Sequence, residues 1–88
     1  MSNNLYMRVP CMPGDTLYRV MPDRRIKEPH KLKISGLFVS EDYIDLLVVH
    51  YINDMFDYSA RLTEEEIGKS LFYTEDEALE KIKERQNK

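Results

Sequence analysis

The chain has 88 residues, with 13 Lys+Arg against 16 Asp+Glu, 42% hydrophobic residues, one Cys and no Trp. A chain of this length buries roughly 60 to 65% of its unfolded surface, which supports one modest core and leaves no room for separate cofactor and substrate domains. The longest apolar run, Leu46 to Val49, is broken by His50, whereas a membrane helix needs about 20 such residues, so a membrane-spanning helix is excluded.

Residues 1–13 hold Asn3-Asn4 and two prolines without hydrophobic periodicity, the pattern of a loosely held arm. The arm has no cationic start followed by an apolar run, so no secretory signal is expected. The single domain is expected over 14–88. Thr16, Tyr18 and Val20 alternate with Leu17, Arg19 and Met21, a short strand entered through Pro13-Gly14-Asp15. Pro22 and Pro29 bracket a polar loop, because proline cannot donate a ladder hydrogen bond. In the next strand the apolar positions run Leu32, Ile34, then Leu37, Val39, so their parity changes across Ser35-Gly36, the signature of a bulge that bends the strand.

Tyr43 to Ile52 carries apolar residues on both faces and reads as the central strand. Asn53-Asp54 turns the chain, and Phe56, Tyr58, Ala60 and Leu62 then alternate with polar residues, a strand with one buried and one wet face. Thr63 to Glu66 fits a capped helical turn that Gly68 ends, and Lys69 to Tyr73 forms a last strand. Thr74 to Glu77 repeats the capping pattern and opens a terminal helix with Ala78, Leu79 and Ile82 inward. The fold expected is mainly β with a C-terminal α-helix: a small, bent, five-stranded antiparallel barrel of the Src-homology-3 type, with a bent antiparallel sheet carrying one helix on its face as the alternative.

Charge is unevenly spread. Through Lys33 the chain carries seven basic and three acidic side chains, and beyond it six and thirteen. Opposite halves of this kind present different faces to different partners.

Gly14-Asp15-Thr16-Leu17-Tyr18, with Gly68-Lys69-Ser70-Leu71-Phe72-Tyr73-Thr74-Glu75-Asp76-Glu77-Ala78, resembles a family of small phage and prophage proteins that open on G-D-T-V-Y and close on G-K-T-V-F-L-T-x-E-E-A. The resemblance covers roughly residues 13–84, with Ser70, Leu71 and Tyr73 standing where Thr, Val and Leu are usual. It implies an accessory protein in a bacterial cytoplasm, of a kind that often binds and blocks a host component such as an immune nuclease. It supplies no functional residues to carry over.

Catalysis is not expected. Cys11 lies beside prolines without a helix terminus to activate it, and Cys11, His30 and His50 lack the close spacing of metal ligands. No cofactor is expected: Gly14, Gly36 and Gly68 are too far apart to form a phosphate loop. Asp54 and Asp57 flank a turn, whereas Asp45 interrupts an apolar face, as an edge or a partner surface would explain.

Protein binding is the primary expectation. Six Tyr on so small a domain exceed the needs of its core, and Tyr43, Tyr51 and Tyr58 are the candidates, with Glu64, Glu65 and Glu66 as an acidic surface able to mimic a nucleic-acid backbone. The lone Cys leaves an internal disulfide without a partner and agrees with a reducing cytoplasm. The alternative is nucleic-acid binding through Arg24, Arg25 and Lys27 with Lys31 and Lys33 beyond the loop. A free sheet edge offers homodimerisation.

Overall fold

A computed structural model describes residues 10–86. Five strands, β1 (Thr16–Arg19), β2 (His30–Val39), β3 (Ile44–Ile52), β4 (Met55–Thr63) and β5 (Leu71–Phe72), form one antiparallel sheet in the order β4-β3-β2-β1-β5. A 3-10 turn (Glu64–Glu66) precedes β5, and helix α1 (Glu75–Gln86) closes the chain. The architecture is therefore mainly β with a C-terminal helix, as the strand pattern indicates. The sheet does not close, however: β4 and β5 remain its two edges.

The parity change at Ser35-Gly36 is a real irregularity, since the β2–β3 register shifts between Ile34 and Gly36. It keeps both halves of β2 directed at one core, with Ile34 buried before it and Leu37 packed against the core after it. That core joins Leu17, Leu32, Ile34, Leu46, Val48 and Leu71, each 0–1% exposed. A second cluster, Val20, Ala78 and Ile82 with Tyr18 and Phe72, docks α1. Because Leu17 and Tyr18 are neighbours on one strand and belong to different clusters, the helix covers the face of β1 opposite the main core.

Several local expectations are corrected. Of the N-terminal arm, 1–9 lie outside the described residues, but Cys11 is only 5% exposed and packs into the main core. It is held by the Gly14 amide donating to the Ile34 carbonyl at 2.8 Å and by the Tyr73 hydroxyl donating to the Pro10 carbonyl at 2.9 Å. Thr63 makes no capping bond; the Ile67 amide donates to the Glu64 carbonyl, and the Glu66 carboxylate instead accepts from the Ser70 hydroxyl. The last strand is only Leu71–Phe72, because the Lys69 and Ser70 amides donate back to the Glu66 carbonyl of the 3-10 turn, both at 2.9 Å. Thr74 does cap α1, accepting from the Glu77 amide at 3.2 Å. Leu79 lies outside the helix's buried stripe, 39% exposed, because only Ala78 and Ile82 face the sheet.

Candidate functional site

The strongest surface feature is the tip of the β3–β4 hairpin. Asn53 (φ 51°) and Asp54 (φ 65°) both occupy the left-handed region and make a two-residue turn, with Ile52 opposite Met55. Successive left-handed residues match the twist of the flanking strands, and Asn and Asp tolerate that conformation better than other non-glycine residues. Beyond His50, the last buried residue of β3, the hairpin runs past the core. Tyr51, Ile52, Met55 and Phe56 are consequently 50%, 52%, 72% and 65% exposed. Cross-strand pairing places Tyr51 with Phe56 on one face and Ile52 with Met55 on the other. A rigid turn thus presents four large apolar side chains to water, each worth about 1.5–3 kcal/mol if a partner buries it.

Of the tyrosines singled out from sequence, only Tyr51 belongs to this tip. Tyr43 precedes the other end of β3, roughly 26 Å away at about 3.3 Å per residue. There it stacks on Phe38 at 6.1 Å between ring centres, and the Arg61 guanidinium lies 4.2 Å above the Phe38 ring. Arg61 also donates to buried Asp45 at 2.6 Å, so the carboxylate that interrupts an apolar face has its partner within the chain. Glu64 and Glu65 join Tyr43 and Asp45 around an acidic groove of about 390 Å³, whereas Glu66 turns away to Ser70.

Tyr58 is half-buried and its hydroxyl is committed inside the fold. It is hydrogen-bonded to His30 Nδ1 at 3.0 Å, in a cluster with His50 and Asp57. His50 Nδ1 must carry a proton, because it donates to the Asp57 carboxylate at 2.8 Å. The two imidazoles stack at 4.3 Å. Sequence reasoning missed this cluster: Asp57 is the extra residue of a bulge where the β3–β4 register shifts between His50 and Tyr51, and that shift turns it toward His50. Burial, followed by the charges of Asp15 and Glu64, pushes the Cys11 thiol pKa up, the opposite of what a nucleophile requires.

The basic residues also divide. Arg25 is spent on Asp23, to which it donates from its backbone amide, Nε and Nη2 at 2.9, 3.1 and 2.9 Å. Arg24 and Lys27 stand exposed on the same loop. Lys31 and Lys33 lie on β2 beside a separate groove of about 460 Å³ that also takes in Tyr51 and Asp54. Comparison with protein-family models, with curated proteins and with solved structures finds no match to this chain.

Proposed function

We propose that this chain is a non-catalytic protein-binding module whose β3–β4 hairpin tip inserts into an apolar cleft of a protein partner. The exposure of Tyr51, Ile52, Met55 and Phe56 around one rigid turn carries this reading. Together with the resemblance to phage accessory proteins, it makes the partner a bacterial host or immune component, blocked by occlusion in the cytoplasm. The test compares capture from nuclease-treated bacterial lysate by the wild-type chain, by Met55→Asp with Phe56→Asp, and by Tyr43→Asp. A discrete protein held by the wild type and by Tyr43→Asp, but lost with the tip variant, supports the reading. Equal retention by the tip variant, or no specific protein at all, counts against it.

A second reading, nucleic-acid binding, rests on Lys31 and Lys33 flanking the groove beside Tyr51, which places two cations next to a stacking surface. It requires salt-dependent binding of a single-stranded oligonucleotide that Lys31→Glu with Lys33→Glu abolishes.

A further inference from the structure

Of the sheet's two edges, one is guarded and one is open. β5 is two residues long and α1 packs beside it, whereas β4 runs for nine residues and no other described strand pairs with its outer side. Which backbone groups face outward follows from the bonds of β2. The Gly14 amide donates to the Ile34 carbonyl at 2.8 Å and the Ile34 amide to the Asp15 carbonyl at 2.9 Å, so Ile34 directs both groups away from β3. Val48, opposite Ile34, therefore bonds to β4, as does Leu46 two residues earlier. The Ser35 hydroxyl, donating to the Leu47 carbonyl at 3.1 Å, agrees, since Leu47 then faces β2. Ala60 and Leu62, paired with Val48 and Leu46, return those bonds. The amides and carbonyls of Ser59, Arg61 and Thr63 consequently point out of the sheet.

Three observations point to a second copy of this strand as what completes the edge. Tyr58, Ala60 and Leu62 pack against the main core yet stay half-buried, while His50, Val48 and Leu46 opposite them are 8%, 1% and 0% exposed. The apolar layer thus ends on a strand with a neighbour on one side only. From Tyr58 to Thr63 the edge has none of the lysines or prolines that keep strands from pairing, and its single charge, Arg61, is turned onto Asp45 and Phe38. The bulge at Asp57 and the 3-10 turn from Glu64 bound this stretch, so a facing strand has only 58–63 to match.

Few registers between two copies satisfy it. Opposed residues in an antiparallel ladder share a face, so Tyr58, Ala60 and Leu62 must meet one another, and Ser59, Arg61 and Thr63 likewise. A twofold axis at Ser59 opposes Arg61 to the bulged Asp57, where the ladder is broken. An axis at Arg61 sets like charges directly opposite and brings Tyr58 against Glu64. An axis at Leu62 brings Ala60 against Glu64 and leaves Tyr58 unmatched. An axis at Ala60 opposes Tyr58 to Leu62 on the core face and Ser59 to Arg61 on the other, the latter pair exchanging both backbone bonds on each side of the axis.

We propose that two chains join β4 to β4, antiparallel about a twofold axis at Ala60, into one continuous ten-stranded sheet. The contact is isologous and closes at two chains. It leaves both hairpin tips free at opposite ends, about 40 Å apart from the ~3.3 Å rise per residue.

Sedimentation equilibrium of the wild-type chain between about 10 μM and about 1 mM should show the mass rising from one chain to two. Ser59→Pro removes an outward amide that no bond to β3 uses, so it should remain a monomer with a native near-ultraviolet spectrum. Register is read from single added cysteines under mild oxidation, with the wild type, whose Cys11 is buried, as the unlinked control. Ala60→Cys, at a non-hydrogen-bonded pair with α-carbons about 4.5 Å apart, should link the chains about tenfold faster than Ser59→Cys or Arg61→Cys, the centres of the neighbouring registers. The proposal is overturned by a wild type that keeps the mass of one chain at every concentration, which would leave the edge to a strand of another protein. It is equally overturned by a mass above two chains, by a folded Ser59→Pro that dimerises like the wild type, or by Arg61→Cys or Ser59→Cys linking as fast as Ala60→Cys.

Discussion

The imidazole rings of His30 and His50 stack with their centres 4.3 Å apart and their planes 11° from parallel, although 20 residues separate them in the chain. Two cationic rings at this distance repel strongly where water is partly excluded, so the arrangement favours at most one charge. Burial first, then the charge of His50, lowers the His30 pKa from its ordinary value, with Arg19 adding to the effect and Asp57 opposing it.

A pH dependence of stability follows. As pH falls through about 6.5 the unfolded chain protonates His30 while the folded chain does not, so the unfolded state gains protons and stability declines until the lowered folded pKa is reached. Thermal melts at intervals from pH 7.5 to 5.5 should show a falling Tm, and His30→Gln should fall less over the same window. An identical slope in the variant would show that the stacked pair is not what the protons act on.

Cys11 gives a kinetic prediction. Its sulfur is packed in the main core and its thiol pKa is raised, so a thiol reagent should label the native chain slowly, at a rate set by opening of the 10–14 segment. Denaturant should make labelling fast. Rapid labelling of the native protein would contradict the packing of this segment against Ile34 and Tyr73.

Cys11 also marks a boundary of what the amino-acid order reveals. The Gly36 bulge and the Thr74 cap were legible because each is a local signal: a parity change in four apolar residues, and a hydroxyl three residues before a glutamate. The burial of Cys11 depends on contacts with Ile34 and with Tyr73, the latter made to Pro10 across 63 residues, and no local pattern encodes them. The His30–His50 stack depends on a β2–β3 register and on a second bulge at Asp57 that carries no glycine to announce it. The hairpin tip was hidden differently. Ile52 and Phe56 continue the apolar alternation of their strands, and only the three-dimensional extent of the core shows that the pattern outruns it.

The turn of that hairpin is open to improvement. Asp54 sits at φ 65°, a conformation that glycine adopts without its β-carbon penalty, and Asn-Gly is the preferred pair for two successive left-handed residues. Asp54→Gly should raise stability by about 0.5–1 kcal/mol, whereas Asp54→Val should lower it by more than about 1 kcal/mol. Denaturant unfolding measures both, and a stabilising valine would argue against the left-handed turn.

Two residues of α1 separate docking from helix propensity. Ile82 is 4% exposed against Val20 and the sheet, while Leu79, three residues earlier, is 39% exposed. Ile82→Ala should cost about 2–4 kcal/mol through lost burial and the cavity left behind. Leu79→Ala should change stability by about 0.5 kcal/mol or less, since alanine favours the helix and little packing is lost. Similar losses at both sites would mean that the helix buries a broader stripe than Ala78 and Ile82.

Asp45 and Arg61 test whether a charge pair is retained for its own contribution or because one partner cannot be left alone. The Asp45 side chain is 12% exposed, and Arg61, at 49%, both donates to it and covers the Phe38 ring. Removing the cation leaves a nearly buried carboxylate without its partner and uncovers the aromatic face at once, so Arg61→Met should lower the Tm clearly. Adding Asp45→Leu to that variant removes the stranded charge, and the aliphatic side chain can pack beside Leu47 and Phe38. The double variant should therefore be more stable than Arg61→Met alone, and the double-mutant cycle measures the coupling directly. If Asp45→Leu instead deepens the loss, the carboxylate stabilises the sheet through contacts other than Arg61, and the pair is not the unit that holds this end of β3 and β4 together.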